Sequence, residues 1–179
     1  VLHDVAELYE PLAEESDIRF DLAIAPDLPV RGDSDLLFQL FANVLDNAIK
    51  FSANGSAVLL RASLENNIPT VSIEDQGPGI PPDRLTIVFE RFYTDRPDTE
   101  AIRGKNSGLG LSISREIVRA HGGEITAENK TARDGDAERP KGARFVVRLP
   151  GLVASSRSGV TSGRRSPADR YYDPIRERG

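Results

Sequence analysis

Three short stretches carry residue types whose spacing could do chemistry: NVLDNAIKFS at 43–52, EDQGPGI at 74–80 and RGKNSGLGLSI at 103–113. In the first, Asn43, Asn47 and Lys50 stand at i, i+4 and i+7, one stripe of a helix whose other positions are mainly apolar. Stacked amide carbonyls offer oxygen to a hard divalent cation. Mg²⁺ keeps waters and substrate phosphates in its shell, so few protein ligands suffice. Lys50, one turn further, offers a point charge to phosphate. An amide ladder capping neighbouring loops is the alternative reading, because a buried amide without partners costs roughly 1–3 kcal/mol.

In the second stretch Asp75 ends a β-rich run, where a carboxylate at the bottom of a pocket selects a ligand with an exocyclic amine. Gly77 and Gly79 permit positive φ and let backbone approach a flat ligand, while Pro78, Pro81 and Pro82 stiffen the segment. A tight turn ending an edge strand is the alternative. In the third, Arg103 and Lys105 form a basic approach to Gly108 and Gly110 at a helix start, where free N–H groups and the helix dipole favour an anion. Asn106 and Ser107 as simple caps are the alternative here. Neither the P-loop pattern nor GxGxxG occurs. In this order, a cation site, an amine-selecting carboxylate and an anion-binding helix start are the parts needed to hold Mg²⁺-ATP.

The elements that must position these groups follow from periodicity. Leu2, Val5, Leu8 and Leu12 predict an amphipathic helix that Pro11 could kink. Alternation in IRFDLAIA predicts a strand, and Asp33 or Ser34 can cap a helix running to Ser52 through Leu36, Leu37, Leu40, Phe41, Val44, Leu45, Ala48 and Ile49. Ala57 to Leu64 and Ile68 to Glu74 flank ENN as an antiparallel pair. A short apolar segment, RLTIVFERF, leads into a polar linker from Tyr93 to Ser107. GLSISREIVRAH predicts a third helix stopped by Gly122, and GEITAEN and ARFVVRLP predict two strands separated by a charged loop. Interleaved helices with adjoining paired strands predict an α/β two-layer sandwich with a mixed sheet.

Composition excludes several classes. The 179 residues are 39% hydrophobic and 28% charged, which fits one globular domain of 1–150. Cysteine is absent, so neither disulfides nor thiolate metal sites are available. Residues 151–179 carry a net +3, leaving −8 on residues 1–150, a poor surface for nucleic acid. The Arg- and Ser-rich 151–179 reads as a disordered basic tail. The chain begins at Val1 and lacks Met altogether, which suggests a piece of something longer.

NVLDNAIKFS, DQGPGI, FERFY and GLGLSI resemble, in this order, the N, G1, F and G2 motifs of sensor histidine kinase catalytic domains, and IVRAHGGEI and ARFVVRLP the helix and strands that follow. This group belongs to the gyrase, Hsp90, histidine kinase and MutL superfamily, and the resemblance extends over about residues 2 to 150. It implies a Bergerat-type fold: a mostly antiparallel mixed sheet covered on one face by about three helices. It also implies that Asp75 bonds the adenine amino group, that Asn43 and Asn47 hold Mg²⁺ and phosphate oxygens, and that Lys50 touches phosphate beside Phe51. Gly77, Gly79, Ile80, Phe92, Arg103, Lys105, Ser107, Gly108, Leu109, Gly110 and Leu111 would complete the nucleotide site. Tyr93 to Ser107 would be a lid over ATP anchored by Phe89 and Phe92.

The same resemblance implies a cytoplasmic domain of a membrane-anchored homodimer in a bacterial inner membrane, acting on a response regulator through two-component signalling. Two positions depart from the pattern: Thr94 stands where many relatives carry Arg, and Ala143 where Ser or Thr is frequent. In the superfamily's ATPases a Glu four residues before the first Asn activates water. Here it is Gln39, whose amide cannot act as a general base. His3-Asp4 mimics a phospho-acceptor without the Pro-Leu expected after it, so the acceptor is expected upstream of Val1 in a dimeric helical hairpin. His121 reads as a residue near a helix C-terminus, where positive charge is favourable. A non-catalytic nucleotide-sensing or partner-binding module is the alternative function, and an anti-sigma-type serine kinase is disfavoured by Gln39.

Overall fold

A computed structural model describes residues 1–93, 108–134 and 137–151. Its elements are α1 (Leu2–Glu15), β1 (Arg19–Ile24), α2 (Ser34–Phe51), β2 (Ala57–Glu65), β3 (Ile68–Glu74), α3 (Gly110–Ala120), β4 (Glu124–Asp134) and β5 (Ala137–Arg148). Two 3₁₀ turns, Pro82–Arg84 and Ile87–Phe89, lie between β3 and α3. The strands form one mixed sheet in the order β1-β2-β3-β5-β4, in which β1 and β2 are parallel and every other pair is antiparallel. The three helices share a core with the inward residues of that sheet, which gives the expected two-layer sandwich. No helix among the described residues is long and apolar enough to cross a membrane.

Local chemistry accounts for most boundaries. The Asp33 carboxylate caps α2 by accepting from Asp35 N at 2.9 Å and Leu36 N at 3.0 Å, satisfying donors the helix cannot. Asn66 and Asn67 both take positive φ, 50° and 68°, as a two-residue hairpin turn between β2 and β3 requires. Gly122 ends α3 at φ +71°. Pro11 lies on the exposed side of α1 and does not interrupt it.

Two expectations need correction. Leu8 is 62% exposed, because Val5, Ala6, Tyr9 and Ala13 form the stripe that α1 turns inward. The segment expected as a charged loop after Asn129 is instead paired backbone: β4 and β5 run on as a hairpin to Asp134 opposite Ala137, with Pro140 opposite Thr131. Its side-chain pattern does not alternate, but a hairpin ladder needs only backbone partners.

At the centre of the core are Leu40, Val44, Val58, Leu60 and Val118, all fully buried, with Phe89 and Phe145 meeting edge to face at 6.2 Å. α2 and α3 run against each other, joined at one end by Asn43 Nδ2, which donates to Gly110 O at 3.2 Å, and at the other by His121. His121 Nε2 accepts from Asp33 N at 3.1 Å while Nδ1 lies 2.7 Å from Ile117 O, which places the ring proton on Nδ1. His121 therefore ties the end of α3 to the start of α2. Truncating Leu40 to Ala should cost about 2–5 kcal/mol through the lost contacts and the cavity left behind. Urea unfolding should show this as a lower midpoint at unchanged slope.

Candidate functional site

The candidate site is built from the last turns of α2, the loop after β3, the start of α3 and the adjoining edge of β5 and β4. Strand alternation decides what the end of β3 presents. Glu74 points away from the helices and Asp75 toward them. Glu74 lies among cations, with Lys130 Nζ at 2.6 Å, Arg144 Nε at 3.3 Å and Arg61 Nη1 at 4.0 Å. Asp75 is 3% exposed and among the described residues receives only backbone donors: its Oδ1 accepts from Gly77 N and Ala143 N, both at 2.9 Å. Its Oδ2 makes no hydrogen bond among the described residues. Burial pushes the carboxyl above the usual carboxylate range, against a smaller downward pull from those two N–H groups and from Lys130.

Glycines make this approach possible. A Cβ on Gly77 would lie 2.1 Å from Phe51 O, and one on Gly142 would lie 2.0 Å from Asp75 O. Gly79 does use the left-handed region, at φ +78°, whereas Gly77 is required for closeness rather than for positive φ. Ile80 is held by its backbone, N and O both bonded to the Asn129 side chain. Phe51 is 43% exposed at the end of α2, beside this loop.

At the other end, Asn43 and Asn47 are half-buried along α2 as the spacing predicts. Asn43 bridges to Gly110, partly fulfilling the capping alternative, while the Asn47 amide makes no hydrogen bond among the described residues. Lys50 Nζ is paired with Asp46 one turn back, a partner the sequence reading did not include. α3 starts at Gly110 after Leu109 with no side-chain cap, and Leu111 packs against the core. Gly108 has φ +65° and accepts from Phe92 N at 3.0 Å, so the chain on either side of residues 94–107 is joined at its base. Phe89 is buried against Phe145, but Phe92 is 72% exposed at φ +64°, so it does not anchor the segment through its ring. Instead both Nη atoms of Arg115 contact Glu90 Oε1 at 3.1 Å and tie this stretch to α3. Arg103, Lys105 and Ser107, like Thr94, lie outside the described residues.

The reading from sequence missed Gly142 and Asn129, and had Ala143 only as a departure from the family pattern. Ala143 contributes a backbone N–H, so the absence of a hydroxyl there leaves the contact to Asp75 intact. Asn129 was visible as a polar residue on the inward face of GEITAEN, in line with Ile125 and Ala127.

A mixed sheet under three helices, with a buried strand-end carboxylate, an amide stripe and an uncapped helix start, defines a nucleotide-binding α/β sandwich. Residues 32–152 match the family described as histidine kinase-, DNA gyrase B-, and HSP90-like ATPase. Over 114 residues the chain is 47% identical to the sensor protein ChvG of Rhizobium meliloti (strain 1021), covering 63% of this chain and 19% of that protein. The solved mycobacterial sensor histidine kinase MprB aligns with a TM-score of 0.69 at 35% identity, covering 84% of this chain and 95% of that one. Full-length ShkA, solved in complex with AMPPNP, aligns at 0.68 and 32%, covering 86% and 30%. The chain thus belongs to the histidine kinase, gyrase B and HSP90-like ATPase family, as an ATP-binding catalytic domain of the sensor histidine kinase type. It spans about a fifth of the length of the curated relatives it matches.

The donor set fits the nucleotide. Oδ2 of Asp75 has no partner among the described residues, the bare backbone of Gly77 and Gly142 lies close against Asp75, and the Asn47 amide is likewise without a bond among them. Because folding raises the Asp75 pKa, the folded state holds this proton more tightly than the unfolded chain. Its contribution is therefore present at low pH and lost as pH rises through the raised value. Wild-type stability should accordingly fall relative to Asp75→Asn as pH climbs through and above the ordinary carboxylate range, read by urea unfolding of both proteins across that range.

Proposed function

We propose that residues 1–150 bind Mg²⁺-ATP and present its γ-phosphoryl group to a histidine on a separate dimerisation and acceptor domain. The observation that carries this reading is Asp75, a buried carboxylate with one oxygen fixed by backbone and the other without a partner among the described residues. That second oxygen would accept the adenine amino group. Asn43 and Asn47 would supply oxygens to Mg²⁺, which when bound neutralises charge on the phosphates. Lys50 would exchange its contact with Asp46 for a phosphate oxygen, and the uncapped start of α3 would receive phosphate on its N–H groups.

The chemistry then needs position more than a protein base. The acceptor imidazole nitrogen attacks the γ-phosphorus, the bond to the β–γ bridging oxygen breaks, and ADP leaves with the electron pair. Gln39, exposed on α2 one turn before Asn43, cannot take a proton from water, which disfavours hydrolysis by the gyrase or Hsp90 route. On this reading the acceptor hairpin, a membrane-anchored homodimeric parent and a response regulator are the partners, with 151–179 a basic tail beyond the domain.

Asp75→Asn should weaken ATP binding by about 1–3 kcal/mol, the usual range for a hydrogen bond to a charged group. Calorimetric titration with Mg²⁺ measures it, and equal affinity in the folded variant would sink the adenine assignment. Mixing the chain with a separately supplied acceptor domain and γ-labelled ATP should label the acceptor histidine. ATP binding without any labelling would instead favour a non-catalytic nucleotide-sensing module.

A further inference from the structure

The loop that follows Asp75 is held from β4. Asn129 Oδ1 accepts from Ile80 N at 2.7 Å, and Asn129 Nδ2 donates to Ile80 O at 2.6 Å, across 49 residues of sequence. One primary amide thereby satisfies both backbone groups of one residue, as a neighbouring strand would. The β4–β5 register shifts between Asn129 and Thr131, and a bulge of this kind re-aims the side chain beside it. The flanking residues hold this part of β4 in place: Glu128 pairs with Arg144 at 3.0 Å and Lys130 with Glu74 at 2.6 Å. The loop has little else to fix it. Between Asp75 and Ile80, the described hydrogen bonds beyond the Asn129 pair are those made by Asp75 itself and by Gly77 N to its carboxylate.

We propose that Asn129 is a positioning residue for the nucleotide, holding the Gly77 to Ile80 wall in the shape that receives the base beside Asp75. This rests on the ATP reading above. Without the amide, Ile80 N–H and C=O must turn to water, and Gly79, already at φ +78°, gives the loop other conformations to visit. Apparent affinity then falls by the fraction of loops still competent to bind. The wall borders the base, so the loss is the same for any nucleotide carrying that base, whatever its phosphate count. Asn43 and Asn47 lie at the other end, and changes there separate ATP from ADP.

The test is equilibrium binding of ATP and of ADP, each with Mg²⁺, to the chain and to Asn129→Ala and Asn129→Asp. It is read together with hydrogen exchange at the Ile80 amide and the nucleotide-free thermal midpoint. The Asp variant is nearly isosteric and keeps the acceptor for Ile80 N while setting a carboxylate oxygen against Ile80 O, so it serves even where Ala perturbs folding. Expected are dissociation constants for ATP and ADP raised in the same proportion, about tenfold if one loop in ten stays competent. Ile80 should exchange faster while the midpoint is nearly unchanged. Wild-type affinity in both variants would overturn the proposal. So would a loss that tracks a falling midpoint, or one that falls on ATP and spares ADP. A wild-type chain that binds neither nucleotide overturns the ATP reading itself, so the wild-type titration alone tells the two failures apart.

Discussion

A carboxylate buried to 3% exposure with no cation in contact among the described residues is the constraint around which this structure is arranged. Charge in such a place is costly unless hydrogen bonds replace its water. Asp75 obtains two, from Gly77 N and Ala143 N, and each demands something of the fold. The Gly77 donor requires the chain to turn back against Phe51 O, where no Cβ fits. The Ala143 donor requires β5 to lie beside β3, and Gly142 must be bare to pass Asp75 O. The cations that could have neutralised the group gather one residue earlier, on the opposite face, around Glu74. Alternation along one strand thus separates a carboxylate used for holding the sheet from one left with an oxygen to offer.

The far end of the site depends on a different device. α2 and α3 are joined near the site by Asn43 and Gly110 and at their distant ends by His121 and Asp33, with Ser114 Oγ of α3 lying 3.5 Å from Leu40 O of α2 between them. Gly32 fits closely over the His121 ring, since a Cβ there would come within 2.6 Å of it. Two ties at opposite ends fix both the separation and the sliding of the pair. The start of α3 is therefore placed relative to the amide stripe by one contact at the site and one at the far end of the helix.

Legibility in the sequence followed the range of the interactions. Asp33 as a cap, Asn66 and Asn67 as a hairpin turn and Gly122 as a stop are local devices, and each lies where its chemistry predicts. The wide apolar face of α2 is likewise local, and Leu40, Val44, Leu45 and Ala48 are buried as read, with Leu36 left at the rim. What escaped was set by partners distant in sequence. Leu8 lost its place to Tyr9 and the alanines because neighbouring elements choose which part of an apolar arc they cover. The β4–β5 extension was hidden because the backbone pairs without a side-chain signature. Phe92 read as an anchor from its company with Phe89, yet its left-handed backbone turns the ring outward while its N–H does the holding.

Lys50 shows how a site can be assembled without being fixed in its working arrangement. Its side chain meets Asp46 at i+4 spacing, with both partners about a third exposed, and pairs of this kind contribute about 0–1 kcal/mol. A phosphate carrying more than one negative charge competes easily with a single screened carboxylate. The acidic partner holds the lysine near α2 in the free chain, so less of its rotamer freedom remains to be lost on meeting phosphate. Asp75 cannot be so loosely held, because a buried group must keep its partners whether or not a ligand is present. The end proposed for the base is accordingly rigid and made of backbone, and the end proposed for phosphate is made of side chains with weak, exchangeable contacts. This suits the proposed function, in which ATP is recognised at one end and its γ-phosphoryl group surrendered at the other.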